Sequence, residues 1–147
     1  MNYRISVSCL VIYSGKLLVI REEQNNKISW DIPDGDSQEN MEKAVIREVL
    51  RETGVGITNP KLIRIFEFVE PTGITINFLF VAYISELPIH LIAQSQLDEK
   101  ILEIAFFDAD QVRQTLPNAE HTLAKARLQI FLNSQFSENL TPILVVL

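Results

Sequence analysis

Disulfide bonding is the first thing this chain lacks. Cys9 is its one cysteine in 147 residues, which excludes an intramolecular disulfide framework. Its place in an apolar run marks it as a small core residue. Long apolar runs are missing too. The longest one near the C-terminal end, residues 143–147, falls far short of the roughly 20 residues that a helical membrane span needs. Residues 1–6 lack the basic-then-apolar order of a secretory leader, so a cytoplasmic location is the expectation. Positive charge is in deficit: 13 Lys and Arg against 19 Asp and Glu leave a net charge of −6. That balance argues against non-specific binding to nucleic acid or to an anionic membrane. A nucleotide substrate stays open, because a bound cation inverts the local field. The histidines, His90 and His121, stand alone, without zinc or triad spacing. Neither a G-x-x-x-x-G-K-S/T loop nor a G-x-S-x-G elbow is present. No repeat, low-complexity stretch or linker divides the chain, and its length suits one domain over residues 1–147. The 47% hydrophobic content is ample for a packed core.

Period-2 patterning places strands at residues 4–13 and 16–21, joined by the Ser14-Gly15 turn into a hairpin. Residues 24–27 read as a polar loop and residues 28–36, with Trp30, Pro33 and Gly35, as an irregular segment. Residues 61–70 and 74–85 read as a second hairpin around Pro71-Thr72-Gly73. Residues 87–99 form a long connection and residues 103–107 a short strand. Asp108 starts a short helix, and residues 120–133 form another, with Leu123, Ala126, Leu128, Ile130 and Phe131 as its apolar positions. Residues 141–147 are an apolar tail.

The informative stretch runs from Gly35 to Val55, GDSQENMEKAVIREVLRETGV. Asn40 is a good N-cap, Glu42 suits the first turn, and Gly54 is a natural left-handed stop, so a helix is expected over residues 41–53. Its apolar arc holds Met41, Val45, Ile46, Val49 and Leu50, with Lys43 and Arg47 on the solvated side. Glu48 and Glu52 are four apart, share a face and fall at the edge of that arc. Two adjacent carboxylates repel unless a positive group lies between them, and a hard divalent cation such as Mg²⁺ prefers oxygen ligands. The bland alternative is a helix laced with pairs among Arg47, Glu48, Arg51 and Glu52, each contributing only about 0.2–0.5 kcal/mol.

This stretch resembles the Nudix box, G-x5-E-x7-R-E-U-x-E-E-x-G-U with U aliphatic, of the MutT/Nudix hydrolase family and its NudJ-like phosphatase branch. Glu39, Arg47, Glu48, Val49, Glu52, Gly54 and Val55 fall in register, and Trp30-Asp31-Ile32-Pro33 resembles the family's W-x-L-P lead-in. Three features depart from the pattern. Three residues rather than five separate Gly35 from Glu39. Arg51 stands where the first Glu of the acidic pair belongs. Asp34 replaces the first Gly of the usual Gly-Gly.

The resemblance implies an α/β fold, a Nudix-type α/β/α sandwich around a mixed β-sheet. It implies Mg²⁺-dependent (or Mn²⁺-dependent) hydrolysis of a nucleoside diphosphate-linked or other pyrophosphate compound. Glu48 and Glu52 would be the catalytic carboxylates and metal ligands, with Asp34 supplying a further ligand through its carbonyl. Asp34 and Asp36 otherwise read as parts of an Asp-Gly turn. Gly35, Glu39, Arg47 and Gly54 would be structural, with Glu39 and Arg47 as a salt bridge. Arg51 would bind substrate phosphate or face solvent, and Phe68 or Phe106 would stack a base. Glu99 and Glu103 are candidates for an additional acid. The partner is then a small-molecule nucleotide or pyrophosphate. Base and sugar selectivity would reside in loops such as residues 87–100. The oligomeric state stays open, a homodimer included. The alternative reading is a Nudix-fold module that binds a nucleotide or a protein without turnover.

Overall fold

The computed structural model describes residues 2–87, 100–119, 121–133 and 143–147. The expectations that fall on Glu99, His90 and most of the 87–99 connection lie outside them, as does Glu120 at the start of the last helix. The elements are β1 (Asn2–Tyr13), β2 (Lys16–Gln24), β3 (Lys27–Asp31), β4 (Asp34–Asp36), α1 (Met41–Thr53), β5 (Lys61–Glu70), β6 (Gly73–Ile84), β7 (Ile101–Phe107), α2 (Ala109–Thr115), a 3₁₀ turn (Leu116–Asn118), α3 (Thr122–Asn133) and β8 (Ile143–Val146).

One mixed sheet carries the order β3-β2-β1-β6-β5-β8, with β4 added to β1 and β7 added to β2. β1 and β6 run parallel in full register from Asn2 opposite Gly73 to Tyr13 opposite Ile84. The β1–β2 hairpin pairs antiparallel at Ile12–Leu17 and Tyr13–Lys16. Beyond that the two strands part, and each takes another partner: β4 lies against Ser6–Ser8 of β1, and β7 lies along β2.

Alternation along β1 decides the layers, because successive side chains point to opposite faces. Val7, Cys9 and Val11 pack with Leu18, Ile20 and the α1 residues Ala44, Val45 and Val49. Leu10 and Ile12 pack with Leu17, Val19 and the helical residues Val112, Leu123, Ala124, Leu128 and Phe131. Each face of the sheet is thus buried under helix, and the architecture is the expected α/β/α sandwich. Ser6, Ser8 and Asn77 are buried among these strands. Ser8 Oγ donates to Asn77 Oδ1 at 2.9 Å, and Asn77 Nδ2 donates to Ser6 Oγ at 2.8 Å, which ties β1 to β6 by side chains as well as backbone.

Four expectations need correction. The loop expected over residues 24–27 shrinks to the Asn25-Asn26 turn, and the segment 28–36 is strand on either side of Ile32-Pro33. Asn25 and Asn26 both have left-handed backbone, φ 51° and 63°, the pattern of a two-residue hairpin turn, and they fold β3 back on β2. The polar composition there belongs to this turn and to the edge strand that follows it. β4 then adds three residues to β1. Leu50 is not in the buried arc of α1; it is 39% exposed. Ala44, Glu48 and Glu52 are buried instead, so the helix is turned toward its carboxylates. Finally, residues 143–146 of the apolar tail form an edge strand parallel to β5, extended by Leu147 N–H donating to Glu67 O at 2.8 Å.

Candidate functional site

The box helix begins and ends as its sequence dictates. The Asn40 side chain accepts from Lys43 N–H at 3.2 Å, and Gly54, at φ 76°, donates its N–H to Leu50 O. The short loop before it leaves no slack. β4 ends at Asp36, Ser37 N–H donates to Ile5 O at 3.0 Å, and Asn40 already caps the helix. Gly35 is therefore pressed against α1. A Cβ there would fall 2.6 Å from Glu48 Cγ, and closer still to its carboxyl.

Glu48 is buried between two arginines. Arg51 donates to its Oε2 from Nε at 3.0 Å and from Nη2 at 2.7 Å. Arg47 Nη2 reaches its Oε1 at 3.4 Å. Arg47 also pairs with Glu39 and donates to Asp36 O at 3.4 Å, so it ties the loop to the helix. Arg51 is thus neither simply solvent-facing nor engaged only with a substrate: its guanidinium sits on the first box carboxylate.

Glu52 is 3% exposed. Its Oε1 accepts the backbone N–H of Asp34 at 2.9 Å. Burial, and then the charges of Asp34 and Glu22, push its carboxyl up to about 10, with Arg51 pulling the other way. A buried carboxyl facing other acids in this way fits a divalent cation, which would satisfy the negative charge that burial otherwise forbids. Glu52 is the carboxylate that such a cation would meet, while Asp34 and Glu22 add negative charge near it and the Asp34 carboxylate is contacted by Arg127. Glu48 does not fit the same role while Arg51 covers it. Among the described residues no group of three or more His, Cys, Asp and Glu is already arranged around a metal position. The fit therefore lies at Glu52 and is electrostatic.

Beneath the box lies a group that sequence reasoning missed. Arg127 of α3 is wholly buried. Its Nη2 contacts Asp31 Oδ2 at 2.7 Å, and its Nη1 contacts Asp34 Oδ2 at 3.4 Å. Asp31 also accepts the N–H of Ile32 at 2.7 Å. Burial opposes the charge on Arg127, but the two carboxylates more than reverse it, so the guanidinium is held above its ordinary pKa. Burial pushes the Asp31 carboxyl up while Arg127 pulls against it. A signal existed: Leu123, Arg127 and Phe131 share one helical stripe. An arginine on a buried stripe requires acidic partners.

The remaining candidates are scattered. Phe68, half-buried, sits 5.9 Å from the ring of His121. The His121 Nδ1 accepts Ala124 N–H at 3.1 Å and so caps α3. Phe106 makes an edge contact with Tyr13 at 5.8 Å and packs in the cluster under α1. It lies on the opposite sheet face from Phe68, and the two do not form one pocket. Glu103 is exposed on β7, with Arg21 Nε at 3.3 Å. The Arg21 guanidinium lies 5.9 Å from the centre of the Trp30 ring. Asp36 pairs with Arg4.

Comparison with known proteins bears on this geometry. "Phosphatase NudJ" of Escherichia coli K12 is 30% identical over 86 residues, 56% of this chain and 56% of that protein; the chain spans about half the length of the curated relatives it matches. Among solved structures, a NUDIX hydrolase from Nitrosomonas europaea superposes with a TM-score of 0.74 at 20% identity, covering 94% of this chain and 99% of that one. The NUDIX domain of Shewanella oneidensis NrtR, crystallised in complex with ADP ribose, superposes with a TM-score of 0.69 at 16% identity over 89% of this chain and 85% of that one. The NUDIX domain family model matches residues 2–128, and the chain belongs to the Nudix family.

Proposed function

We propose that this chain hydrolyses a pyrophosphate linkage in a nucleoside diphosphate derivative, with a divalent cation at Glu52. The observation that carries the reading is Glu52 itself. It is a box carboxylate almost sealed from solvent, held by the Asp34 N–H and surrounded by other acids. A fold gains little from such a group, since burial makes its ionised form costly and leaves the carboxyl holding its proton unless a positive charge is supplied. It makes sense as an anchor for a cation and as an acceptor for a proton from an attacking water. When bound, Mg²⁺ or Mn²⁺ supplies charge neutralisation on the phosphate oxygens.

The other residues take supporting roles. Arg51, with its side chain 45% exposed, brings a guanidinium to the edge of the site. A guanidinium suits a phosphate because it offers paired donors in one plane. Phe68, with His121 beside it, offers an aromatic face for a base. The net charge of −6 fits a small phosphorylated substrate better than nucleic acid or an anionic surface. Among the described residues no helix is long and apolar enough to cross a membrane.

The test is a panel of nucleoside diphosphate sugars, dinucleoside polyphosphates and nucleoside triphosphates assayed with Mg²⁺ and with Mn²⁺. Glu52→Gln should lower the rate on the preferred compound by about 10²–10⁴-fold, the range for a positioned acid–base group, while leaving the fold intact. Equal rates in the two proteins would remove Glu52 from the reaction.

A second reading has one specific observation behind it. The Arg51–Glu48 contact holds a box carboxylate out of use. In that reading the chain binds its nucleotide without turnover. Saturable binding with no product in the same panel separates it from the first.

A further inference from the structure

Arg127 is hard to explain as packing. A buried ion pair can often be exchanged for apolar residues of similar volume with no loss of stability, and the neighbours Leu123 and Phe131 on its stripe are apolar. One of its own donors, Nε, is also buried without a partner among the described residues, which adds to the cost of keeping an arginine here. What the guanidinium does reach is specific. Asp31 and Asp34 bracket Ile32-Pro33, the short link between β3 and β4, and Arg127 contacts both. Pro33 O accepts Cys9 N–H at 3.2 Å, which pins that link to β1. Asp34 is thus held at two points: its carboxylate by Arg127 and its backbone N–H by Glu52 Oε1.

We propose that Arg127 is a positioning residue: by gripping Asp34 from beneath the sheet, it holds the Asp34 peptide at the angle that orients the Glu52 carboxylate. The inference rests on the proposed role of Glu52 but is separable from it. Without that grip the Pro33–Asp34 peptide is held only by the Cys9 N–H on Pro33 O and by the β1–β4 pairing, and the Asp34 N–H is aimed less firmly at Glu52. A site of this kind tolerates displacement of only about half an ångström, so a change made on α3 would reach the box through two hydrogen-bonded contacts and one peptide.

The experiment is Arg127→Lys in the full chain, read by amide hydrogen exchange at Asp34 alongside steady-state kinetics. Lysine keeps the charge but cannot span both carboxylates. The expected result is exchange at Asp34 about 10-fold faster than in the unaltered protein, while the amides of β1 and α1 keep their protection, since local opening is separable from global unfolding. The kcat should fall and KM should change by less than about 2-fold, the pattern of a group that acts on the reacting geometry and not on substrate affinity. If Asp34 exchange rises only in step with the core amides, Arg127 is structural and the inference is overturned. If the unaltered protein hydrolyses nothing in the panel, the functional reading fails, and the exchange data still decide the inference. Should Arg127→Lys fail to fold, Asp34→Ala leaves Arg127 its closer partner Asp31. Faster exchange of the amide at position 34 then supports the grip, and unchanged protection refutes it.

Discussion

Gly35→Ala is the sharpest probe of the box, because the backbone does not demand glycine there. Its φ lies outside the left-handed region that only Gly15, Gly54 and Gly73 occupy among the glycines. Space alone is in question. A Cβ at position 35 would lie 2.6 Å from Glu48 Cγ, where ordinary contact begins at 3.4 Å. The Glu48 Cγ must therefore retreat by about 0.8 Å, the difference between 3.4 and 2.6 Å, to clear the repulsive wall of carbon contacts. Retreat breaks the 2.7 and 3.0 Å contacts from Arg51. Arg51 is partly exposed, so those contacts contribute at most about 1 kcal/mol; overpacking adds about 1–3 kcal/mol. The total is then about 1–4 kcal/mol, and at roughly 2–4 °C per kcal/mol for a chain of this size Tm should drop by about 2–16 °C. The assay is thermal unfolding of four proteins: the parent, Gly35→Ala, Glu48→Ala and the double variant. Shortening Glu48 opens the space, so Gly35→Ala should cost almost nothing in the Glu48→Ala background. Gly56→Ala is the control, since a Cβ there meets nothing within 4 Å. An equal Tm loss from Gly35→Ala in both backgrounds would refute the claim that Glu48 is what fills the glycine's space.

Arg51→Glu should raise Mg²⁺ or Mn²⁺ affinity in a calorimetric titration, because it replaces a guanidinium on Glu48 with an oxygen ligand; the same change should lower Tm without cation through like charge at i, i+3. Equal cation affinity before and after would show that Arg51 does not compete for the site. The pH dependence follows from Glu52, whose folded carboxyl sits near 10 against an ordinary 4.5. The folded chain holds a proton that the unfolded chain releases above about pH 4.5, so the cation-free protein loses stability as pH rises from there toward 10. Melting curves from pH 5 to 9 should show this fall. Glu52→Gln should flatten it, and a slope equal in both proteins would assign it to another group.

Much of the fold was readable because its determinants are local. The β1–β2 and β5–β6 hairpins announce themselves through Ser14-Gly15 and Pro71-Thr72-Gly73 between β-rich runs. The limits of α1 follow from Asn40 and Gly54, whose capping contacts are present. The capping box at Asp108 and Gln111 does the same for α2. The misreadings fall where pairing is non-local. β3 and β4 are short, polar edge or add-on strands, and only their neighbours β2 and β1 make them strands. β8 is four apolar residues with no alternation, and its identity depends on a free edge at β5. Leu50 lies in an apolar arc by periodicity, yet the sheet meets α1 on the side of Ala44, Glu48 and Glu52, so tertiary contact overrode the pattern.

The site divides in the same way. Arg47, Glu48 and Glu52 occupy fixed offsets on one helix, with Glu39 just before its cap, and offsets are legible. The surroundings that give Glu52 its character are not. Asp34 reaches it from 18 positions upstream through a backbone N–H, and a backbone contact leaves no mark on residue choice. Arg127 reaches Asp34 across 93 positions. Its one local mark is a charged residue on the stripe of Leu123 and Phe131, which hydrophobic patterning discards as noise. The three departures from the box also take on a joint sense in space. The shortened loop brings Gly35 against Glu48, Arg51 holds Glu48 in that position, and Asp34, standing where a glycine is usual, gives Arg127 a carboxylate to grip. Each looks like a defect along the chain. Together they give a box in which Glu48 is held by Arg51 and Glu52 is the carboxylate without an arginine hydrogen bond among the described residues, which is why the proposed chemistry is assigned to it.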